Sequence, residues 1–197
     1  TVGWLVAVNR MNHSVLWAHR YSKPLSRSST NGTTTNVFGS SNRSTMVQYS
    51  DLNNRWSPSA PVITRGHVVY TPSDDPHLVC LKLFDGKPAW RISKSTYLYL
   101  AGVFGERVVL VGKTAITAVS LTSGTTAWTL PLPPSSGLPS GMGVAAGNHY
   151  HLPLSTGQLW TIDLNTGKRL SRLYLPETER PLGNLAMYQG MLLSLNP

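Results

Sequence analysis

A single cysteine, Cys80, stands in a chain of 197 residues, which excludes an intrachain disulfide and any multi-cysteine metal site. Acidic side chains are also scarce, with eight Asp and Glu against 17 Lys and Arg and a formal charge of +9. Charged residues make up 13% of the chain, against about a quarter in ordinary globular domains. A site built from several carboxylate oxygens has little to draw on. No apolar run approaches the ~20 residues that a membrane-spanning helix needs. No long stretch carries apolar residues at a 3.6-residue period, and the helix formers Glu and Lys are thin. GxSxG, HExxH and P-loop motifs do not occur. The chain opens on Thr1-Val2-Gly3-Trp4 with neither an initiator Met nor a secretory leader, and both ends read as strands cut from something longer. A missing targeting segment therefore carries no information.

What fills the chain instead is Ser, Thr, Asn and Gly among β-branched and aromatic residues, a composition of sheet surfaces and turns. Hydrophobic residues reach 41%, enough for a core. The expectation is an all-β protein. Cys80, between Val79 and Leu81, reads as a small core residue of a strand. The basic residues are scattered, with Lys168-Arg169 the only adjacent pair, and this reads as a diffusely basic solvated surface. Binding to an anionic polymer is the alternative, and it predicts salt-sensitive retention on heparin.

The main signal is an internal repeat. Residues 80–90 (CLKLFDGKPAW), 118–128 (AVSLTSGTTAW) and 161–171 (TIDLNTGKRLS) align without a gap, and residues 7–17 (AVNRMNHSVLW) supply a fourth copy. In each, an apolar strand end runs into a polar turn, then into a short strand, which ends in Trp17, Trp90 or Trp128 in three copies and in Ser171 in the other. Gly86, Gly124 and Gly167 hold the seventh place, where a tight turn needs positive φ. His13 takes that place in the first copy, a costlier choice. A second set of glycines, Gly66, Gly105, Gly147 and Gly190, separates paired apolar runs at intervals of 39, 42 and 43 residues. That interval suits a four-stranded propeller blade. A short meander exposes two apolar faces and hides neither, so it is stable only when stacked between neighbours. Small residues at Ala60, Ala101-Gly102 and in the run GMGVAAG at 141–147 suit the crowded innermost strands. The three Trp residues would cover the edges between blades, each burying up to about 200 Å².

The pattern AxDxxTGxxxW resembles the tryptophan-docking motif of PQQ-type propeller repeats, found in quinoprotein dehydrogenases and BamB-like envelope proteins. Residues 161–168 match it most closely, and the copy departs from it at Ser171, where the family has Trp. The resemblance implies a β-propeller of four-stranded antiparallel blades. Outer strands of a first blade are expected in 1–21, blades in 58–94, 97–132 and 141–175, and inner strands of a last blade in 184–197. That totals about four blades' worth of strands, either part of a larger ring or closed by pairing of the terminal halves. An open array exposes unpaired strand edges, which invites self-association.

Residues 22–57 lack the repeat and read as a flexible insertion, with a degenerate blade around 47–56 as the alternative. Long loops on rigid scaffolds carry function, so Arg27, Arg43 and Arg55 are the candidate partner-binding residues. The resemblance implies a non-catalytic scaffold for protein or peptide, bound on the loop-bearing face, in the periplasm or cell envelope. The runner-up is part of a PQQ-dependent oxidoreductase, whose relatives hold PQQ with Ca²⁺. The acidic pair Asp74-Asp75, set in Pro72-Ser73-Asp74-Asp75-Pro76, reads as a solvated turn rather than an ion site. His149 and His151 share one face of a strand at a zinc-compatible spacing, but no third ligand is near in sequence. No catalytic residue, metal or cofactor is expected, and nucleic-acid binding is not.

Overall fold

The computed structural model describes residues 3–21, 60–72, 75–94, 96–175 and 181–195. Sixteen strands account for nearly all its regular structure, and the only helical piece among the described residues is one 3₁₀ turn, Pro134–Ser136. Strands β1 (Trp4–Val8) and β2 (Val15–Arg20) form a two-stranded sheet. Blade I follows as β3 (Val62–Thr64), β4 (His67–Tyr70), β5 (His77–Lys82) and β6 (Pro88–Ser93). Blade II is β7 (Tyr97–Phe104), β8 (Arg107–Gly112), β9 (Ala115–Ser120) and β10 (Thr126–Pro131). Blade III is β11 (Val144–Ala146), β12 (His149–Pro153), β13 (Gln158–Asp163) and β14 (Arg169–Tyr174). A second two-stranded sheet closes the described chain, β15 (Asn184–Tyr188) with β16 (Met191–Leu195). Each blade is an antiparallel meander in sequence order, and the two terminal pairs stay separate sheets.

Period-two alternation sorts the core residues between interfaces. In β8, Val108 and Leu110 face blade I, where they meet Val69, Leu78 and Cys80. Val109 and Val111 point the other way, to Tyr150, Leu152, Leu154, Trp160 and Ile162 of blade III. In β5, Val79 and Leu81 likewise turn to the first sheet, packing on Leu5, Trp17 and Tyr21. Middle strands are therefore apolar at consecutive positions rather than alternate ones, as strands covered on both faces must be. The outermost strand β14 is exposed along its whole length.

The turn between third and fourth strands is built alike in all four copies. The amide of Gly86, Gly124, Gly167 or His13 donates to the carbonyl four residues back, at 2.8–2.9 Å. All four sit at positive φ, +67°, +71°, +70° and +58°. A one-residue register shift between those strands recurs at the same place each time. The meander puts first-to-second and third-to-fourth turns at one end of every blade. Longer connections, such as 132–143, lie at the other.

Close backbone approach explains glycine near the innermost strands. A Cβ on Gly141 would strike the main chain of Gly183, and one on Gly143 would come within 2.7 Å of the Tyr150 ring. Met142 N–H donates to Asn184 Oδ1 (2.8 Å) and Leu185 N–H to the Met142 carbonyl (2.8 Å), tying blade III to β15.

Candidate functional site

The three motif tryptophans each reach across to the following blade. The Trp17 indole N–H donates to the Leu83 carbonyl at 2.8 Å, that of Trp90 to Leu121 at 2.7 Å and that of Trp128 to Leu164 at 3.1 Å. Beneath each ring lies the positive-φ glycine of that next blade. A Cβ on Gly86 would come 2.5 Å from Trp17 Cε3, one on Gly124 2.7 Å from Trp90 Cγ, and one on Gly167 would overlap the Trp128 ring. Glycine therefore answers two demands at once, the left-handed turn and the space for the indole. Ser171, the fourth position, carries no ring.

Nearer the axis, Tyr99 of β7 joins blade II to blade III. Its hydroxyl donates to the Gly141 carbonyl (3.2 Å), lies 3.3 Å from the Tyr150 hydroxyl and accepts from the Gly143 amide (3.2 Å). Burial pushes both phenols above their ordinary pKa, outweighing the donors that favour the charged form, so both stay protonated.

A cleft of about 760 Å³ opens between blades II and III on the tight-turn end. Val103, Phe104 and Leu164 supply apolar lining, and Glu106, Arg107, Asn148 and Asn165 supply polar groups. The lining comes from the first turns of two adjacent blades and the third-to-fourth turn of blade III. Arg107 Nε is buried and has no hydrogen-bond partner. Glu106 meets Arg65 of blade I at 3.1 Å, both exposed.

A family model described as outer membrane protein assembly factor BamB matches residues 2–186. The chain belongs to that family. The crystal structure of BamB from Moraxella catarrhalis superposes with a TM-score of 0.57 at 14% identity, over 98% of this chain and 49% of that one. The chain thus spans about half the length of that BamB structure. The computationally designed Ika4 protein superposes at 0.54 with 14% identity, over 70% of this chain and 84% of its own. A quinohemoprotein alcohol dehydrogenase from Pseudomonas putida HK5 reaches only 0.46 at 17% identity, over 64% of this chain and 24% of its own. No curated protein sequence matches.

As a member of the BamB family the chain has a PQQ-type propeller fold, and the residues present can be tested against a PQQ and Ca²⁺ site. Among the described residues no three His, Cys, Asp or Glu side chains gather as a metal cluster. Asp85 and Asp163 are turned onto amides of their own turns. Asp75 is not the solvated turn residue that its Pro-flanked sequence suggests. It is 6% exposed and accepts from the His77 amide (2.8 Å), the His77 ring (2.7 Å) and Arg91 Nη2 (2.9 Å). Burial pushes its carboxyl up, but the His77 hydrogen bonds and the Arg91 charge outweigh that and hold its pKa below the usual value. The physical reason for the difference is tertiary, since β6 carries Arg91 over the start of β5. Asp74 lies outside the described residues. The described donors do not fit a Ca²⁺–PQQ site.

The remaining candidates resolve individually. Cys80 is fully buried and burial pushes its thiol up to about 12. His149 is exposed and His151 half-buried; desolvation and then the charge of His149 lower the His151 pKa, while its Nδ1 lies 3.2 Å from Thr161 Oγ1. Arg27, Arg43 and Arg55, expected to engage a partner, lie outside the described residues. No helix among the described residues is long and apolar enough to cross a membrane.

Proposed function

We propose that the chain is a non-catalytic scaffold of the bacterial envelope that holds an extended segment of another protein. The observation that carries this reading is the cleft between blades II and III. Its apolar floor and polar rim of two asparagines, one arginine and one glutamate are the mixture that peptide recognition uses: bulk for a side chain, amides for a main chain. Arg107 is the sharpest element, because its guanidinium brings to the cleft lining a cation that can donate charge-assisted hydrogen bonds to a peptide carbonyl or carboxylate. Membership of the BamB family supports the envelope assignment. Arg27, Arg43 and Arg55 are a separate partner-binding candidate, outside the described residues.

The test is selection of binders from a random linear peptide library on the folded chain, followed by anisotropy titration of the selected peptides. Arg107→Ala should weaken binding about tenfold or more, the worth of one charge-assisted hydrogen bond of ~1.5–3 kcal/mol. Peptides that bind Arg107→Ala and the parent chain equally well would show that the cleft is not the binding site.

A further inference from the structure

The two terminal sheets are complementary halves of one blade. β1 and β2 repeat the third and fourth strands of blades I–III, since Ala7 faces Trp17 as Cys80 faces Trp90 and Ala118 faces Trp128. β15 and β16 repeat the first and second, since Tyr188 faces Met191 across their turn as Phe104 faces Arg107. In the complete blades, second and third strands pair in one register, His67 with Lys82 and Arg107 with Ser120. Carried onto the halves, that register sets Met191 opposite Asn9, Leu193 opposite Ala7 and Leu195 opposite Leu5.

This register also reconciles the faces. Val6 and Val8 are 42% and 52% exposed, and Leu193 and Leu195 are 48% and 63% exposed. The corresponding Val79, Leu81, Val109 and Val111 are all 0%. Cross-strand partners share a face. Pairing therefore sets exposed Val8 beside half-buried Leu192, and exposed Leu193 beside half-buried Ala7. Each half brings to the joint the side that the other already has covered.

A second observation points to the same joint. Wherever an indole overlies the next blade's turn, that turn has glycine, because a Cβ would strike the ring. The two departures from the motif are Ser171, an outer-strand position with no indole, and His13, a turn with a side chain at φ +58°. They meet only if β1–β2 completes the blade that follows blade III. There they fit: a turn that cannot lie beneath an indole is offered none.

We propose that two copies of this chain close head to tail into one ring, with β16 of each pairing along β1 of the other. Within one chain the half-blades remain separate sheets, and it is the match of His13 to Ser171, with the shared strand register, that points to a second copy as the completing half. Two copies give two completed blades and six intrinsic ones under a twofold axis, an arrangement that leaves no open edge. The proposal is independent of the cleft, because it concerns strand edges and not the turn end of blades II and III.

Sedimentation equilibrium of the wild-type chain should give twice its 21.5 kDa. A monomer at micromolar concentration, or any other stoichiometry, overturns the proposal. The register is tested by mixing a chain carrying Ala7→Cys with one carrying Leu193→Cys. The equivalent pair, Val69 and Cys80, lies three steps along the ladder from Gly66 and Leu83, which are hydrogen-bonded to each other; it is therefore a non-hydrogen-bonded pair, where Cα atoms approach to ~4.5 Å, within disulfide reach. Mild oxidation should give a covalent pair of the two variants on a non-reducing gel. Ala7→Cys with Leu192→Cys, whose side chains point to opposite faces, should not link. Cross-linking in the second mixture and not the first overturns the register. The wild-type mass decides the two-copy claim even where a variant fails to fold.

Discussion

Replacing Trp90 and Gly124 by Ala, singly and together, separates the three forces at a docked blade. Trp90 is 8% exposed and its indole N–H is held 2.7 Å from the Leu121 carbonyl. Truncation to Ala should therefore cost about 3–5 kcal/mol, the range for a buried aromatic. Gly124→Ala adds a Cβ at φ +71°, 2.7 Å from Trp90 Cγ. The left-handed backbone costs about 1 kcal/mol, and pushing the ring aside adds about 1–3 kcal/mol of overpacking. In the double variant the ring is gone, so only the backbone cost is added to that of Trp90→Ala. The double-mutant cycle should then show a coupling of about 1–3 kcal/mol. Urea unfolding followed by far-ultraviolet circular dichroism measures all four proteins at one fixed concentration, since association shifts apparent stability. Additivity to within about 0.5 kcal/mol would mean that indole and glycine do not meet, and the docking geometry would be refuted.

Other expectations follow from the same contacts. Cys80 should resist a thiol reagent in the folded chain and react at once in urea, because its thiolate is disfavoured by burial; rapid labelling of the native protein would contradict its place in the core. Asp75 has a depressed folded pKa, so its contribution is present above its unfolded value near ~3.9 and is lost as pH falls through the folded value. Asp75→Asn should cost about 1–3 kcal/mol at neutral pH and flatten the loss of stability below pH ~4; an unchanged acid limb in unfolding curves would refute this. Adding PQQ with Ca²⁺ should leave the melting temperature unmoved and transfer no electrons to an artificial dye; a bound chromophore would overturn the scaffold reading. Saturating Zn²⁺ should leave the melting temperature unchanged too, since His149 and His151 lack a third ligand among the described residues.

The all-β propeller was legible because its markers are local. Gly66, Gly105, Gly147 and Gly190 punctuate hairpins, and Gly86, Gly124 and Gly167 reach positive φ, requirements that a residue imposes on its own backbone. What the markers do not reveal is their partner. That Gly124 receives an indole from 34 residues earlier, and Gly86 one from 69 residues earlier, follows from blade stacking and from nothing adjacent in sequence. Asp75 shows the limit most clearly. Two prolines and a neighbouring Asp74 describe a solvated turn; His77 is a local partner, but only the pairing of β6 with β5 brings Arg91 to its carboxylate. The cleft was hidden, since its lining is drawn from 103–107, 147–148 and 164–165, turns whose repeat markers are legible but whose meeting follows only from the stacking of blades. Arg107 carries no local signal that its Nε is buried. The Ser171 departure was visible in sequence, but its relation to His13 needs the ring-over-turn geometry to be seen.

Exchange of the indole N–H protons with solvent, followed by nitrogen-15 nuclear magnetic resonance, tests the stacking of blade on blade most directly. Trp90 and Trp128 donate to Leu121 and Leu164 of the following blades, whereas Trp4 is 41% exposed and serves as an internal reference. The Trp90 and Trp128 protons should exchange far more slowly than that of Trp4, and Gly124→Ala should speed Trp90 while leaving Trp128 unchanged. Exchange of all three at the rate of a free indole would contradict the account.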